Sequence, residues 1–533
     1  MENKFKYLFK NIGVLMIANF SSKILVFLLV PLYTSVLSTT EYGSYDLAVS
    51  TATLLFPILT LNIVDAVMRF SMDCAVNKKT IATIGMKFIS ISAILFGICM
   101  WLLKRINLLP GISGLEIYIF LYYASYAVNQ LLIQFSKGLE RVKDMGIAGV
   151  VGTFVTIITN ILFLLVLKWG LIGFFFSSIL AQMISAIYLA IRIKVWEYID
   201  VTEIDKKTQH EMLMYSVPLI ATAVGWWINS AADKYVVAFM LGVASNGLLS
   251  VSYKIPQIIN TLQGIFTQAW QISAVKEYGE EDTSKFYGNT FSSINLLMCA
   301  ACSFLIILSK PLAHILYAKE FYVAWQYVPF LLLSSVLNCA SGLLGPILAA
   351  KKDSKAMMWS AIIGAATNIV MNIILVYLMG IQGATIATVI CSYIIYAVRK
   401  RAVGKDIWIK DYFIIIVTWM LLFVQAFVES YLSIVPIEIA IMAILIVINV
   451  KELKRIFFKI KHSYRFDELW EVHNKAIVDG VTNMAASCSL MQKYGYTTYF
   501  SKGSEKNIKI TTIEDIEIFK ALLNAKNDDW IKK

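Results

Sequence analysis

A chain of 533 residues with 58% hydrophobic residues, 15% charged residues and a mean hydropathy of +0.69 is not an ordinary soluble protein, in which about 25% of residues are charged. Its net charge of +12 resides wholly in residues 1–463, because residues 464–533 carry ten Lys/Arg against ten Asp/Glu. A basic surplus between apolar runs marks the cytoplasmic loops of a membrane protein, so nucleic acid is excluded as a partner. The 13% aromatic content suits belts of Trp and Tyr at the two interfaces.

Lys4, Lys6 and Lys10 lead into a first apolar run too long for a signal-peptide core, with no small-residue cleavage site after it. That run is read as the first span. About 20 mostly apolar residues cross the hydrocarbon as a helix, and the sequence offers fourteen such stretches: 12–35, 44–69, 81–103, 114–136, 146–167, 170–191, 212–240, 246–271, 288–309, 324–349, 357–378, 381–398, 411–428 and 434–450. The stretch 212–240 is long and polar in its middle, which predicts a tilt or a break.

Loop charge tests this count. With a cytoplasmic N-terminus, the inner segments hold Lys78 and Lys79; Lys137, Arg141 and Lys143; Arg192, Lys194, Lys206 and Lys207; Lys276 and Lys285; Lys351, Lys352 and Lys355; and the basic run from Arg399 to Lys410. The outer loops hold only Lys104, Arg105, Lys168, Lys310 and Lys319. The asymmetry alternates in phase with the spans, which places a multi-pass protein in the cytoplasmic membrane of the cell with both ends inside.

The chain also echoes itself. Gly247, within Leu241–Ser252, falls 204 residues after Gly43, within Leu37–Ala48, and Gly380-Ile-Gln-Gly383 falls 210 residues after Gly170-Leu-Ile-Gly173. Six spans separate each pair, so the repeats enter the membrane in the same direction, as parallel repeats about an axis along the membrane normal. The expected fold is all-α integral membrane, with about 14 transmembrane helices. Two six-helix lobes, 1–195 and 208–400, face a central cavity; an extra helix pair covers 411–450; and a small α/β cytoplasmic tail covers 464–533.

Polar groups inside spans locate candidate sites. Lys23 lies mid-span, where a charge costs at least about 2.5–3.5 kcal/mol. Each helix end is roughly 18 Å away at about 1.5 Å per residue, beyond the reach of its side chain. It is expected to face a wet cavity as a substrate-binding cation; a structural ion pair is the competing role. Asp65 and Arg69 share a helix face at i,i+4, with an interfacial anchor as the alternative for Arg69. Asp233 and Lys234 are adjacent and point in different directions. Lys254, Gln257, Thr261, Gly264, Gln268 and Gln271 recur at steps of three or four, a polar face that lines a cavity or a hydrogen-bonded helix contact. Span two carries a weaker version, Ser50, Thr53, Pro57 and Thr60. Pro57 and Pro256 allow their spans to bend. Asn129, Gln130 and Gln134, and Asn368 and Asn372, are read first as interhelical hydrogen-bonding groups.

Other chemistry finds little support. Cys299-Ala-Ala-Cys302 has metal-ligand spacing but lies in an apolar helix with no histidine near, so packing is the better reading. Four dispersed histidines form no catalytic constellation, no metal or other cofactor is implied, and there is no P-loop to power transport by ATP. An integral-membrane enzyme such as a polymerase would carry large polar outer loops, and these are short.

The segment Leu37–Ala48 with Tyr42-Gly43, the sequence Ala66-Val-Met-Arg69-Phe70, Asp233-Lys234 followed by an apolar run and Gly247, and Asn372 followed by Gly380-Ile-Gln-Gly383-Ala resemble the polysaccharide-biosynthesis, Wzx-type flippases of the multidrug/oligosaccharidyl-lipid/polysaccharide (MOP) exporter superfamily. The resemblance covers about residues 1–450. It implies a V-shaped, two-lobed transporter that moves undecaprenyl-pyrophosphate-linked oligosaccharide from the cytoplasmic to the outer leaflet, for surface polysaccharide of the capsule or O-antigen type. A pyrophosphate head is a dense anion that cations in a low-dielectric cavity attract. Lys23, Arg69, Lys234 and Lys254 are the candidate cations, and Gln257 and Gln268 are the candidate partners of sugar hydroxyls. Alternating access would rock one lobe against the other. Asp65 and Asp233 are candidates for coupling to H⁺ or Na⁺, and polysaccharide polymerase machinery is a candidate partner. A cation-coupled multidrug exporter of the same fold is the alternative; it would favour carboxylates over lysines in its cavity.

The tail differs. Phe466–Gly495 and Ser504–Lys520 resemble the C-terminal part of ribitol-phosphate and methylerythritol-phosphate cytidylyltransferases. Thr482-Asn-Met-Ala485 stands where that family has two carboxylates, and Lys509 matches a lysine that there helps to bind the substrate phosphate. The glycine-rich CTP-binding part is missing, so the tail is read as a truncated fusion without a complete active site.

Overall fold

The computed structural model describes residues 27–73, 76–106, 113–200, 205–279 and 282–455, with 471, 472, 475 and 479. Among these, all regular structure is helical. The chain divides into one compact unit over Met1–Leu453 and a second over Lys454–Lys533. Of the second unit, an ion pair between Lys475 and Glu471 at 2.7 Å is described. Apart from residues 471, 472, 475 and 479, the tail segments Phe466–Gly495 and Ser504–Lys520, with Thr482, Ala485 and Lys509, lie outside the described residues, as do the expected α/β fold of the tail and Lys23.

In chain order the helices are α1 Val30–Val36, α2 Thr39–Leu59, α3 Ile63–Ser71, α4 Lys78–Ile106, α5 Glu116–Gly138, α6 Val142–Asn160, α7 Gly170–Ile193, α8 Lys206–Leu241, α9 Val243–Ser252, α10 Pro256–Lys276, α11 Thr283–Ile307, α12 Ser309–Leu316, α13 Val328–Ala350, α14 Ser354–Met379, α15 Ile381–Val403, α16 Tyr412–Phe427 and α17 Val435–Ile448. Among the described residues, nine are long and apolar enough to cross a membrane, or ten if the bent pair α2–α3 is one span.

Two stretches depart from the sequence-based expectation. The stretch read as span two is bent by 61° between α2 and α3. The bend follows Pro57 by a few residues, where Leu61 and Asn62 take positive φ angles of 51° and 50°, a region that non-glycine residues rarely enter. The stretch read as span eight is likewise two helices, α9 and α10, parted by a turn at residues 253–255. Pro256 opens the second helix from its first turn, where its missing N–H costs nothing. Lys254 therefore sits in the turn and not on the α10 face. By contrast α8 runs unbroken for 36 residues through Pro218, about 54 Å at 1.5 Å per residue.

Two apolar clusters hold the bundle together. One draws on residues from Leu47 to Met212 and includes the stacked rings of Phe96 and Tyr123. The other joins Val237, Leu249, Leu331, Val376, Ile381 and Ala384. Cys299 and Cys302 are fully buried free thiols, consistent with packing.

Candidate functional site

The N-terminal ends of α2 and α9 and the last turns of α8 converge. Glycine makes this possible: a Cβ on Gly43 would lie 2.1 Å from the Val243 carbonyl oxygen, and one on Gly247 would lie 2.0 Å from that of Thr39. The two backbones touch at reciprocal positions, so any side chain there would force the helices apart. The amide of Asn246 donates to the Gly43 carbonyl at 3.1 Å.

One helical turn deeper, Lys234 of α8 pairs with Asp46 of α2 at 2.9 Å, both largely buried. Ser250 of α9 donates to the other Asp46 oxygen at 2.7 Å. Asp233 is buried and accepts from the Lys234 backbone N–H at 2.9 Å and from the Tyr253 hydroxyl. The Lys254 ammonium stands 6.0 Å from the centre of the Tyr42 ring, the outer limit of a cation–π contact. Further along α8, Tyr235 and Thr51 share a hydrogen bond at 2.7 Å, and the Trp227 indole donates to the Ser50 carbonyl at 3.1 Å.

A polar cavity of about 370 Å³ lies within residues 226–399. Gln257, Asn260 and Gln263 from α10 face Ser334, Asn338 and Ser341 from α13 across it. Arg399 of α15 is buried at its wall. Its guanidinium donates to Ser360 Oγ and to the Ser341 carbonyl, both at 3.1 Å.

The sequence candidates are thus dispersed. Asp233, Lys234 and Lys254 cluster near the α2–α9 contact. Gln257 lines the cavity. The side chain of Gln268 lies outside those described. Asp65 is half-buried and accepts from Asn62 at 2.8 Å, while Arg69 is exposed on α3. Asn129 donates to Gln182 across α5 and α7, the interhelical role expected of it.

Sequence reasoning missed Asp46, Asn338 and Arg399. The signals existed: Asp46 is a lone carboxylate at the start of a span, and Ser334, Asn338 and Ser341 recur at helical spacing within the apolar α13. Among the described residues no group of three His, Cys, Asp or Glu side chains is placed to hold a metal.

Comparison with known proteins gives a family match over the first part of the transmembrane region. Residues 8–272 match the family described as polysaccharide biosynthesis protein. A probable low-salt glycan biosynthesis flippase of Haloferax volcanii, Agl15, is 22% identical over 187 residues, covering 34% of this chain and 39% of that protein. The ribitol-5-phosphate cytidylyltransferase of Lacticaseibacillus paracasei is 38% identical over 66 residues, covering 12% of this chain and 28% of the enzyme. The chain thus spans well under half the length of these curated relatives. Its fold is that of the lipid II flippase MurJ in an inward closed conformation, with a TM-score of 0.62 and 17% identity over 83% of this chain and 99% of that one. An inward-facing multidrug resistance MATE family transporter of the MOP superfamily matches with a TM-score of 0.55 and 13% identity over 72% of this chain and 95% of that one. Residues 8–272 thus match the polysaccharide biosynthesis protein family, and the chain has the fold of the lipid II flippase and of the MATE family transporter.

Proposed function

We propose that the protein is a flippase that carries a lipid-linked, undecaprenyl-pyrophosphate type oligosaccharide from the cytoplasmic to the outer leaflet for surface polysaccharide assembly. The observation that carries this reading is the polar interior of an otherwise apolar bundle. Amides and hydroxyls line a cavity of about 370 Å³, and the cations Lys234, Lys254 and Arg399 stand in the same half of the chain. Sugar hydroxyls need such partners, because an unpaired polar group in a dry interior costs about 1–3 kcal/mol. A pyrophosphate needs cations. Lys23 is the proposed first contact for that anion, with Arg69 at the entrance.

In this reading the bundle has fourteen spans in two parallel six-helix lobes, residues 1–195 and 208–400, with a helix pair at 411–450. With both chain ends in the cytoplasm, the α2–α9 contact forms the outer gate. Gly43 and Gly247, 204 residues apart, then meet on the axis that relates the lobes, and Asp46 with Ser250 forms the adjoining latch, again 204 residues apart. Opening the gate breaks the Lys234–Asp46 pair, which frees Lys234 for the anion. Asp233, one residue away, is the proposed ion-coupling carboxylate, with Asp65 as the second candidate.

Reconstitution with a defined lipid-linked glycan tests this. The expected result is exposure of the glycan on the far leaflet, dependent on the protein and lost with Lys23→Ala. Drug efflux by the intact protein without glycan movement would favour the multidrug exporter reading instead.

A further inference from the structure

The cavity within residues 226–399 holds one charge that the described residues do not offset. Its volume of about 370 Å³ falls in the range of small-molecule sites, about 300–1,000 Å³. Amides and hydroxyls of α10 and α13 line it, joined by Tyr253, Thr388 and Ser392. Among the described lining residues Arg399 is the charged one, and no carboxylate shares the wall. Arg399 is 5% exposed. Its Nε donates to Ser360 Oγ of α14 and its Nη1 to the Ser341 carbonyl of α13, each at 3.1 Å. These two bonds fasten α15 to its neighbours, which is a structural role.

That role leaves the charge unanswered. A guanidinium stays ionised in a protein and carries five N–H donors. Two neutral acceptors take two of them, and among the described residues the other three, one on Nη1 and both on Nη2, meet no acceptor. Lys234, Lys351 and Arg192 each meet a carboxylate at 2.9 Å. Arg399 is more deeply buried than any of these and forms no ion pair among the described residues. A buried charge without a counter-charge is costly, and a free guanidinium edge is shaped to take the two oxygens of a carboxylate or phosphate side by side. The rest of the wall suits a sugar, because Gln257, Asn260, Gln263 and Asn338 can donate to and accept from hydroxyls. One cation matches one negative charge. A pyrophosphate head carries more than one and would leave the excess without a cation in this cavity.

We propose that this cavity is a subsite for an acidic sugar of the cargo glycan, whose single negative charge, a carboxylate or a phosphodiester, seats on the free edge of Arg399. The lipid head is held elsewhere, and the amides of α10 and α13 take the hydroxyls of the same sugar. The inference rests on the reading of the cavity as the place that holds the cargo's sugars, and it narrows the cargo to glycans that contain an acidic residue.

Binding to the full chain in lipid nanodiscs tests the proposal, read as ligand-induced thermal stabilisation at constant ionic strength. The probes are methyl glucuronoside, its uncharged methyl ester, a methyl phosphodiester of glucose, and inorganic pyrophosphate. At least one of the two singly charged sugars is expected to act at a concentration about tenfold or more below that of the ester, equivalent to about 1.4 kcal/mol. Arg399→Gln is expected to bring that sugar to the level of the ester and to leave the ester within about twofold. Asn338→Asp sets a carboxylate one helical turn from the Ser341 carbonyl and cancels the charge of the cavity. It is expected to erase the same preference while the two helix-fastening bonds of Arg399 remain. Equal binding of charged and uncharged sugars to the wild type would make Arg399 purely structural and overturn the proposal, with the sugar cavity left standing. Stabilisation by none of the sugars would overturn it together with the reading of the cavity as a sugar site. Arg399-dependent binding of pyrophosphate alone would assign the guanidinium to the lipid head, which also overturns it. If Arg399→Gln fails to fold, the wild-type comparison and Asn338→Asp still decide.

Discussion

α2 and α10 both carry polar stripes, and they use their polar groups in opposite ways. On α2 the groups are hydroxyls that fold back on their own helix: Thr51, which also shares a hydrogen bond with Tyr235, donates to the Leu47 carbonyl at 2.8 Å, Thr53 to that of Ser50 at 2.9 Å, and Thr60, just past its end, to that of Phe56 at 2.6 Å. On α10 they are amides, and Gln257, Asn260 and Gln263 reach outward into the cavity, with Gln263 donating to the Asn338 carbonyl at 3.4 Å. A short hydroxyl can satisfy itself locally, whereas a long amide cannot and must find a partner across a gap. α2 is therefore free to act as a packing surface and α10 as a wall. Gly342 makes room for the wall, since a Cβ there would come within 2.9 Å of the Gln263 amide.

The sharpest test of α2 as a packing surface is bulk at its contact. Gly247→Val, or Gly43→Val, is expected to abolish the α2–α9 approach and to cut surface glycan at least about tenfold, equivalent to 1.4 kcal/mol. A cysteine at Asn246 would then react faster with a membrane-impermeant thiol reagent, and unchanged labelling would show that the helices never needed to touch. Next in size is the Lys234–Asp46 pair. Asp46→Ala leaves an ammonium largely buried, and an expected loss of about 2–3 kcal/mol lies between exposed and fully buried pairs. The double variant with Lys234→Ala should recover most of it, as read from thermal unfolding in detergent.

The contrast between the stripes predicts unequal responses. Gln257→Leu should lower glycan translocation several-fold, about 1 kcal/mol for one lost hydrogen bond, whereas Thr53→Val should leave it within about twofold. Equal losses would remove the distinction between wall and packing surface. The smallest effect expected is at Asp205, which caps α8 by accepting from the Lys207 and Thr208 amides, both at 3.0 Å. The Thr208 hydroxyl and these amides hold its carboxyl below the ordinary carboxylate range. Its contribution is therefore present above the unfolded-state value and is lost as pH falls through the lower folded value. Amide exchange at residues 207 and 208 should quicken in Asp205→Ala at neutral pH and should match wild type in acid.

Much of the bundle was legible because hydropathy and helix length act locally. α4, α7, α14, α16 and α17 fall within a few residues of the stretches read from the sequence, and the long polar stretch proved to be one helix, α8. The breaks at Leu61–Asn62 and at Tyr253–Ile255 were not legible, since Pro57 and Pro256 tell only that a bend is allowed. The cavity was half legible: Gln257 was picked out, but Arg399 was lost among the basic residues of a presumed cytoplasmic end.

The sequence by itself determined that the chain crosses a membrane many times as helices and that cations and amides lie within the spans, because transfer free energy and 3.6-residue periodicity are properties of neighbouring residues. Only the tertiary structure decided that Lys234 is tied to Asp46 and that Gly43 meets Gly247. Those pairs are 188 and 204 residues apart in sequence. Which buried charge finds which partner depends on how the helices pack and turn, and no local pattern encodes that.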